Sequence, residues 1–186
     1  MRFYSTKGNA ISVGFKDALF HGLAPDGGLY MPETIPHLGI DFFKSDLSYP
    51  ELAAGMIHPF TKDDLTHAQL TDICELAFDF PLRIKELNNT DSVLELFHGP
   101  TFAFKDFAAR FMARTMSYFL ENNDNELTIL VATSGDTGSA VANGFFNIDG
   151  INVIILYPSN RVSAIQENQL TTLGGNITAL EIDGSF

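Results

Sequence analysis

From residue 91 onward, short apolar runs alternate with helix-patterned segments, and this alternation restricts the fold more than any other feature of the chain. The runs are Val93 to Phe97, Leu127 to Ala132, Val153 to Tyr157 and Ile177 to Ile182. Each is continuous or nearly so, the pattern of strands buried on both faces. In the first connection, Phe104, Phe107, Ala108, Phe111, Met112, Thr115, Tyr118 and Phe119 recur at helical spacing. They predict an amphipathic helix of about four turns with that stripe turned inward. Residues 136–146 and 163–173 fill the other two connections with helices. Strands alternating with helices give βαβ units and a parallel sheet with helices outside. The fourth run ends in Asp183-Gly184-Ser185-Phe186, where another helix is due, so the sheet is expected to be cut short.

The first half has a different rhythm. Turns are marked at Pro25-Asp26-Gly27-Gly28 and Pro32, with short helical patterns near 15–22, 50–58 and 66–79. A polar break at Asn88-Asn89-Thr90-Asp91 ends this half. The expected organisation is a helical N-terminal domain over 1–88, followed by a partial α/β domain over 89–186. No internal repeat is present.

Charge and composition narrow the partners. The formal net charge is −12, and no basic run interrupts it. That balance argues against a nucleic-acid backbone or an anionic membrane surface. Cys74 is the only cysteine, which rules out an internal disulfide and suits a reducing compartment. The N-terminus lacks an apolar signal core, and no stretch approaches the roughly 18 apolar residues of a membrane span. A cytoplasmic location is therefore expected. The five histidines are scattered without metal-ligand spacing, so no metal site is expected.

In open α/β sheets, ligands bind at the carboxyl ends of the strands. Lys105 falls in such a turn, after the first run, within LFHGPTFAFKDFAARF (96–111). Apolar neighbours and a helix N-terminus both disfavour a charged amine. The neutral form is the nucleophile that Schiff-base chemistry needs. A lysine reaching to solvent from a core helix is the plainer reading of the same placement. Asp106 and Arg110 at i, i+4 read as a surface pair on that helix. His98 reads as a hydrogen-bonded structural imidazole, since no triad partner stands at a recognisable spacing.

The second turn follows LTILVA with Thr133-Ser134-Gly135-Asp136-Thr137-Gly138 and a helix of small residues. Glycines let backbone N–H groups converge, hydroxyls add donors, and the helix dipole favours an anion. It is neither a Walker loop nor a dinucleotide fingerprint. An ordinary capped helix entry is the alternative. Asp136 would repel an anion in the loop unless it caps the helix and points away.

Together these turns resemble the threonine synthase family of fold-type II pyridoxal-phosphate enzymes. HGPTFAFKDFA (98–108) is similar to that family's cofactor-lysine segment, and ATSGDTGSA (132–140) to its substrate-anion loop. STKG (5–8) and FKDALFHGLAPDGGLYMPE (15–33) are similar to its N-terminal domain, and YPSNRVSAIQENQLTTLGGNI (157–177) to the segment after the third strand. The resemblance runs collinearly through nearly the whole chain. It implies that Lys105 holds pyridoxal 5′-phosphate as a Schiff base and later carries protons, with Phe104 packing on the cofactor ring and Asp136 near its 3′-oxygen. Ser134, Gly135, Thr137 and Gly138 would bind the substrate carboxylate. The implied reaction is that of a carbon–oxygen lyase acting on a phosphate ester, turning O-phosphohomoserine and water into threonine and phosphate. In this light the phenylalanines around Lys105 are expected to keep water from the amine.

The family's phosphate-binding glycine loop and its pyridine-nitrogen partner lie beyond residue 186. The chain is therefore expected to be a fragment that alone binds the cofactor poorly and is inactive. Arg161 is a candidate for the substrate's phosphate. Rival readings are a threonine or serine dehydratase, a threonine-synthase-like phospho-lyase, and a truncated non-catalytic module pairing through its bare sheet edge. The sequence sets no oligomeric state.

Overall fold

The computed structural model describes residues 1–121, 126–133 and 135–184, and divides into two compact units, Met1–Leu76 and Ala77–Phe186.

In the first unit, β1 (Phe3–Ser5) pairs antiparallel with β2 (Tyr30–Pro32), in the register Phe3 with Pro32. Between them lies α1 (Phe15–His21), whose N-cap is Gly14 and so offers no capping side chain. Asp64 supplies the missing acceptor from a distance, taking hydrogen bonds from the Phe15 and Lys16 amides at 3.1 and 3.4 Å. A short α2 (Ile40–Phe43) precedes α3 (Tyr49–Thr61). Helix α3 opens with a reciprocal capping box between Ser48 and Glu51. With α4 (His67–Ala77) it contributes buried Ala54, Leu70, Ile73 and Cys74.

The second unit begins with an antiparallel hairpin of β3 (Arg83–Glu86) and β4 (Ser92–Glu95). The polar break of the sequence is its turn. The Asn88 side-chain oxygen accepts from the Thr90 and Asp91 amides at 2.9 and 3.0 Å, a local Asx arrangement. The run at Val93 therefore does not join the parallel sheet. Its residues pair with β3 and are mostly exposed, because charged Arg83, Lys85 and Glu86 stand opposite or beside them.

Three parallel strands follow in the order β5 (Leu127–Ala132), β6 (Ile151–Pro158), β7 (Ile177–Ile182). The connections are α6 (Asp136–Phe145) and α7 (Ala164–Thr171). Right-handed crossovers advancing in one direction place both helices on the same face of the sheet. That face buries Val153, Ile155 and Ile177, with Phe145 and Leu170 from the helices. The opposite face exposes Leu130 and Leu180, so the strands are not buried on both sides as their apolar runs suggest. The parallel α/β architecture is as expected; the first of the four strands and the double burial are not.

Helix α5 (Lys105–Leu120) packs on α6, with Gly144 so close to Ala109 that an added Cβ would meet its carbonyl carbon at 3.1 Å. Its buried face holds Asp106, Ala109, Arg110, Ala113 and Met116 together with Thr115 and Phe119 of the expected stripe, whereas Phe104, Phe107, Ala108, Phe111, Met112 and Tyr118 of that stripe are not buried. Ala109 takes its place on that face because the two helix backbones approach closely at Gly144. Phe107 and Phe111 are half-buried and instead meet Phe78 and Phe80, with ring centroids 4.9 to 6.2 Å apart. Among the described residues no helix is long and apolar enough to cross a membrane.

Candidate active site

Lys105 is the first residue of α5 and is half-buried. The turn before it is held by its neighbour. Asp106 is fully buried and accepts from the Thr101 amide at 2.9 Å and the Thr101 hydroxyl at 2.5 Å. Gly99 lies against the same carboxylate, 2.4 Å from where a Cβ would stand, so no side chain fits there. Asp106 is thus a buried anchor for the turn and not half of a surface pair. Arg110 turns elsewhere, donating to the Ala77 carbonyl at 2.8 Å and to Asp79 at 2.6 Å.

Phe102 adopts φ 61° in this turn, a left-handed conformation that disfavours a bulky side chain. Such strain concentrates at functional sites. The ring is 75% exposed, and Phe104 is 60% exposed with its centroid 4.7 Å from Lys105 Nζ. Among the described residues, then, these phenylalanines do not shut water from the amine; they offer it open aromatic faces. His98 does have a partner that the sequence reading passed over, Glu95 three residues back, with Nε2 2.6 Å from the carboxylate.

The second turn is organised by Thr133, which is buried. Its hydroxyl oxygen accepts from the Gly135 amide at 3.2 Å and the Gly138 amide at 3.0 Å. Both glycines that the sequence marks as anion donors therefore have their N–H groups engaged inside the loop. Gly138 is also enclosed, with Thr133 and Leu170 in the way of any Cβ. The exposed members are Asp136 and Thr137, at the start of α6, where first-turn N–H groups lack intrahelical acceptors. Among the described residues neither N–H finds another acceptor. Ser134 lies outside the described residues.

Because Ala132 is in register with Leu156, and the Thr133 amide continues the ladder to Leu156, the loops after β5 and β6 emerge side by side. Gln166, in the first turn of α7, crosses between them and donates to Asp136 at 2.8 Å. Ser163 is the N-cap of that helix, with its hydroxyl accepting from the Gln166 amide, and no local pattern shows the reach of the Gln166 side chain to another loop. Arg161 is exposed in the β6–α7 loop and makes no ion pair among the described residues.

Comparison with known proteins bears on these turns. A family model described as "Threonine synthase N terminus" matches residues 2–78. The threonine synthase of Pseudomonas aeruginosa is 42% identical over an alignment covering all of this chain and 41% of that protein. A crystal structure of threonine synthase from Brucella melitensis with PLP bound has a TM-score of 0.91 and 39% identity, covering 99% of this chain and 41% of that one. The Escherichia coli threonine synthase structure gives 0.89 and 38%, covering 100% and 44%. The chain thus spans about two-fifths of the length of the relatives it matches.

Proposed function

The chain is related along its whole length to the N-terminal portion of the threonine synthase family, and on that premise we propose that it supplies the amine and the anion loop of a threonine synthase. The reaction is conversion of O-phosphohomoserine and water into threonine and phosphate, with pyridoxal 5′-phosphate as cofactor. The reading includes a cytoplasmic location and a small-molecule substrate, and the net charge of −12 supports leaving nucleic acid and anionic membranes out of it.

The residues present fit that cofactor. Lys105 makes no ion pair among the described residues, and its amine stands beside the exposed ring of Phe104. A primary amine without a carboxylate partner, next to an open aromatic face, suits an aldehyde carried on a flat ring. Bound there, the cofactor supplies an electron sink for carbanion character next to the carbon that loses phosphate.

The rest is the work of this chain's own groups. Lys105 would hold the cofactor's aldehyde, and its amine would take and return protons at the substrate's Cα, Cβ and Cγ. Thr137 and the first-turn amides of α6 orient the substrate carboxylate, helped by the positive helix end. Thr133 keeps Gly135 and Gly138 folded beneath it. Ser134 belongs to this set by sequence. Asp136 is assigned to the loop's geometry through Gln166 and not to the cofactor. Arg161, exposed at the same strand edge, is assigned to the substrate's phosphate.

The observation that carries the reading is the Lys105 amine at the start of α5, beside the Phe104 ring and without an ion pair among the described residues. Incubation with pyridoxal phosphate, borohydride reduction and peptide mapping tests it. The label is expected on Lys105 in preference to Lys7, Lys16, Lys44, Lys62 and Lys85; preferential labelling of any of those would defeat it. In a turnover assay of a full-length protein carrying this chain, with O-phosphohomoserine and cofactor, threonine as product supports the synthase, whereas 2-oxobutyrate moves the reading to a related lyase.

A further inference from the structure

Gln166 reaches back 30 residues to the anion loop, and both ends of its side-chain amide are engaged. Its Nε2 donates to Asp136 Oδ1 at 2.8 Å, while its Oε1 accepts from the Ser163 hydroxyl at 3.0 Å. The reversed orientation would set the amide oxygen against a carboxylate oxygen, so the pairing selects one of the two. The side chain also lies over the loop's backbone, since a Cβ on Gly135 would stand 3.1 Å from Nε2.

Asp136 opens α6, where a carboxylate is drawn to the free N–H groups and the positive helix end. Here it does not take them. It faces Gln166, and the Asp136 and Thr137 amides keep no acceptor among the described residues.

We propose that Gln166 is a positioning residue that holds the Asp136 carboxylate off the first-turn amides of α6, leaving them open to the carboxylate of an amino-acid substrate. The inference rests on the anion-loop assignment made above and deepens it. Freed from Gln166, Asp136 folds back onto those amides and opposes the substrate twice, by occupying donors and by like-charge repulsion.

Proton–nitrogen correlation spectra of the full chain test this with and without O-phospho-L-homoserine. In Gln166→Ala the Asp136 and Thr137 amide protons shift downfield in the absence of ligand, and the apparent affinity read from loop-amide shifts falls roughly tenfold, as for loss of one coupled contact. Gln166→Glu, similar in size but charged, gives an equal or larger loss. Adding Asp136→Asn to Gln166→Ala restores the affinity, because the competing charge is gone; a merely structural role for Gln166 is not rescued in this way. Unmoved amide protons in Gln166→Ala, or a loss that Asp136→Asn fails to rescue, overturn the proposal. Wild-type loop amides that ignore O-phosphohomoserine overturn the anion-loop assignment and the substrate half of the proposal with it, while the ligand-free shifts still decide the clamp.

Discussion

The hydroxyl oxygen of Thr133 lies 3.0 Å from the amide nitrogen of Gly138 and binds it across the mouth of a strand-to-helix turn. A methyl carbon of the same threonine stands 2.2 Å from where a Cβ on Gly138 would be, which leaves room for hydrogen alone. Gly138→Ala therefore overpacks the loop and is expected to destabilise the chain by about 1–3 kcal/mol. Urea unfolding of the variant measures it; an unchanged midpoint would contradict the packing described.

Phe102 holds φ 61° with its ring in solvent, so burial offsets little of the backbone strain. Phe102→Gly is expected to stabilise the chain by about 1 kcal/mol, the strain relieved being partly offset by the freedom a glycine adds to the unfolded state. A rise in thermal midpoint checks it. Loss of stability would mean that the ring contributes packing beyond what its exposure indicates.

Asp106 is buried, with two hydrogen bonds from Thr101. Asp106→Ala removes both acceptors from the turn that precedes Lys105. The expected cost is about 1–3 kcal/mol, the range for leaving a buried donor unsatisfied. Borohydride labelling of Lys105 should slow in the same variant if the turn sets the amine's position. Stability and labelling both at wild-type levels would show that the anchor is dispensable.

The Ser5 hydroxyl, followed by the Gly28 and Asn9 amides, holds the Asp26 carboxyl below the usual carboxylate range, against a smaller opposing effect of burial. A carboxyl lowered on folding contributes stability above its ordinary value of 3.8 and loses it as pH falls through its folded value. Asp26→Asn should therefore flatten the acid limb of a stability-versus-pH curve while lowering the plateau near neutrality. An acid limb of unchanged steepness would remove Asp26 from that role.

Burial pushes the Cys74 thiol up to about 11. The unfolded chain then ionises first, so stability is complete below the ordinary value near 9.0 and declines as pH rises from there towards 11. Native Cys74 should resist thiol reagents at pH 8 and react once urea unfolds the chain. Rapid labelling of the folded protein would show that the thiol is reachable.

Much of the architecture was readable along the chain. The runs from Leu127, Val153 and Ile177 became the three parallel strands because apolar β-branched segments bounded by turns have few other uses. Among the described residues, six helices appeared where the apolar patterns put them, and the short α2 (Ile40–Phe43) did not show in those patterns. Val93 misled, since a short apolar run does not reveal its pairing partner, and Arg83 to Glu86 carries a single apolar residue, Ile84, opposite Leu94. The α5 stripe misled in part for a related reason: Thr115 and Phe119 are buried as periodicity expects, but nearer the start of the helix close approach to α6 placed Ala109 against Gly144.

The same division runs through the candidate site. Lys105 and the Thr133–Gly138 turn stand out in sequence because their chemistry is local: an amine at a helix start, and glycines with hydroxyls at a strand end. Sequence alone thus determined the kinds of group on offer and their order along the chain. Which of them face a ligand was decided by tertiary structure. Register brought Gln166 to Asp136, packing turned Asp106 inward to Thr101, and Thr133 took the amides of Gly135 and Gly138. Hydrogen bonds between residues far apart in sequence depend on distances that exist only after the strands have paired, and no local pattern encodes them.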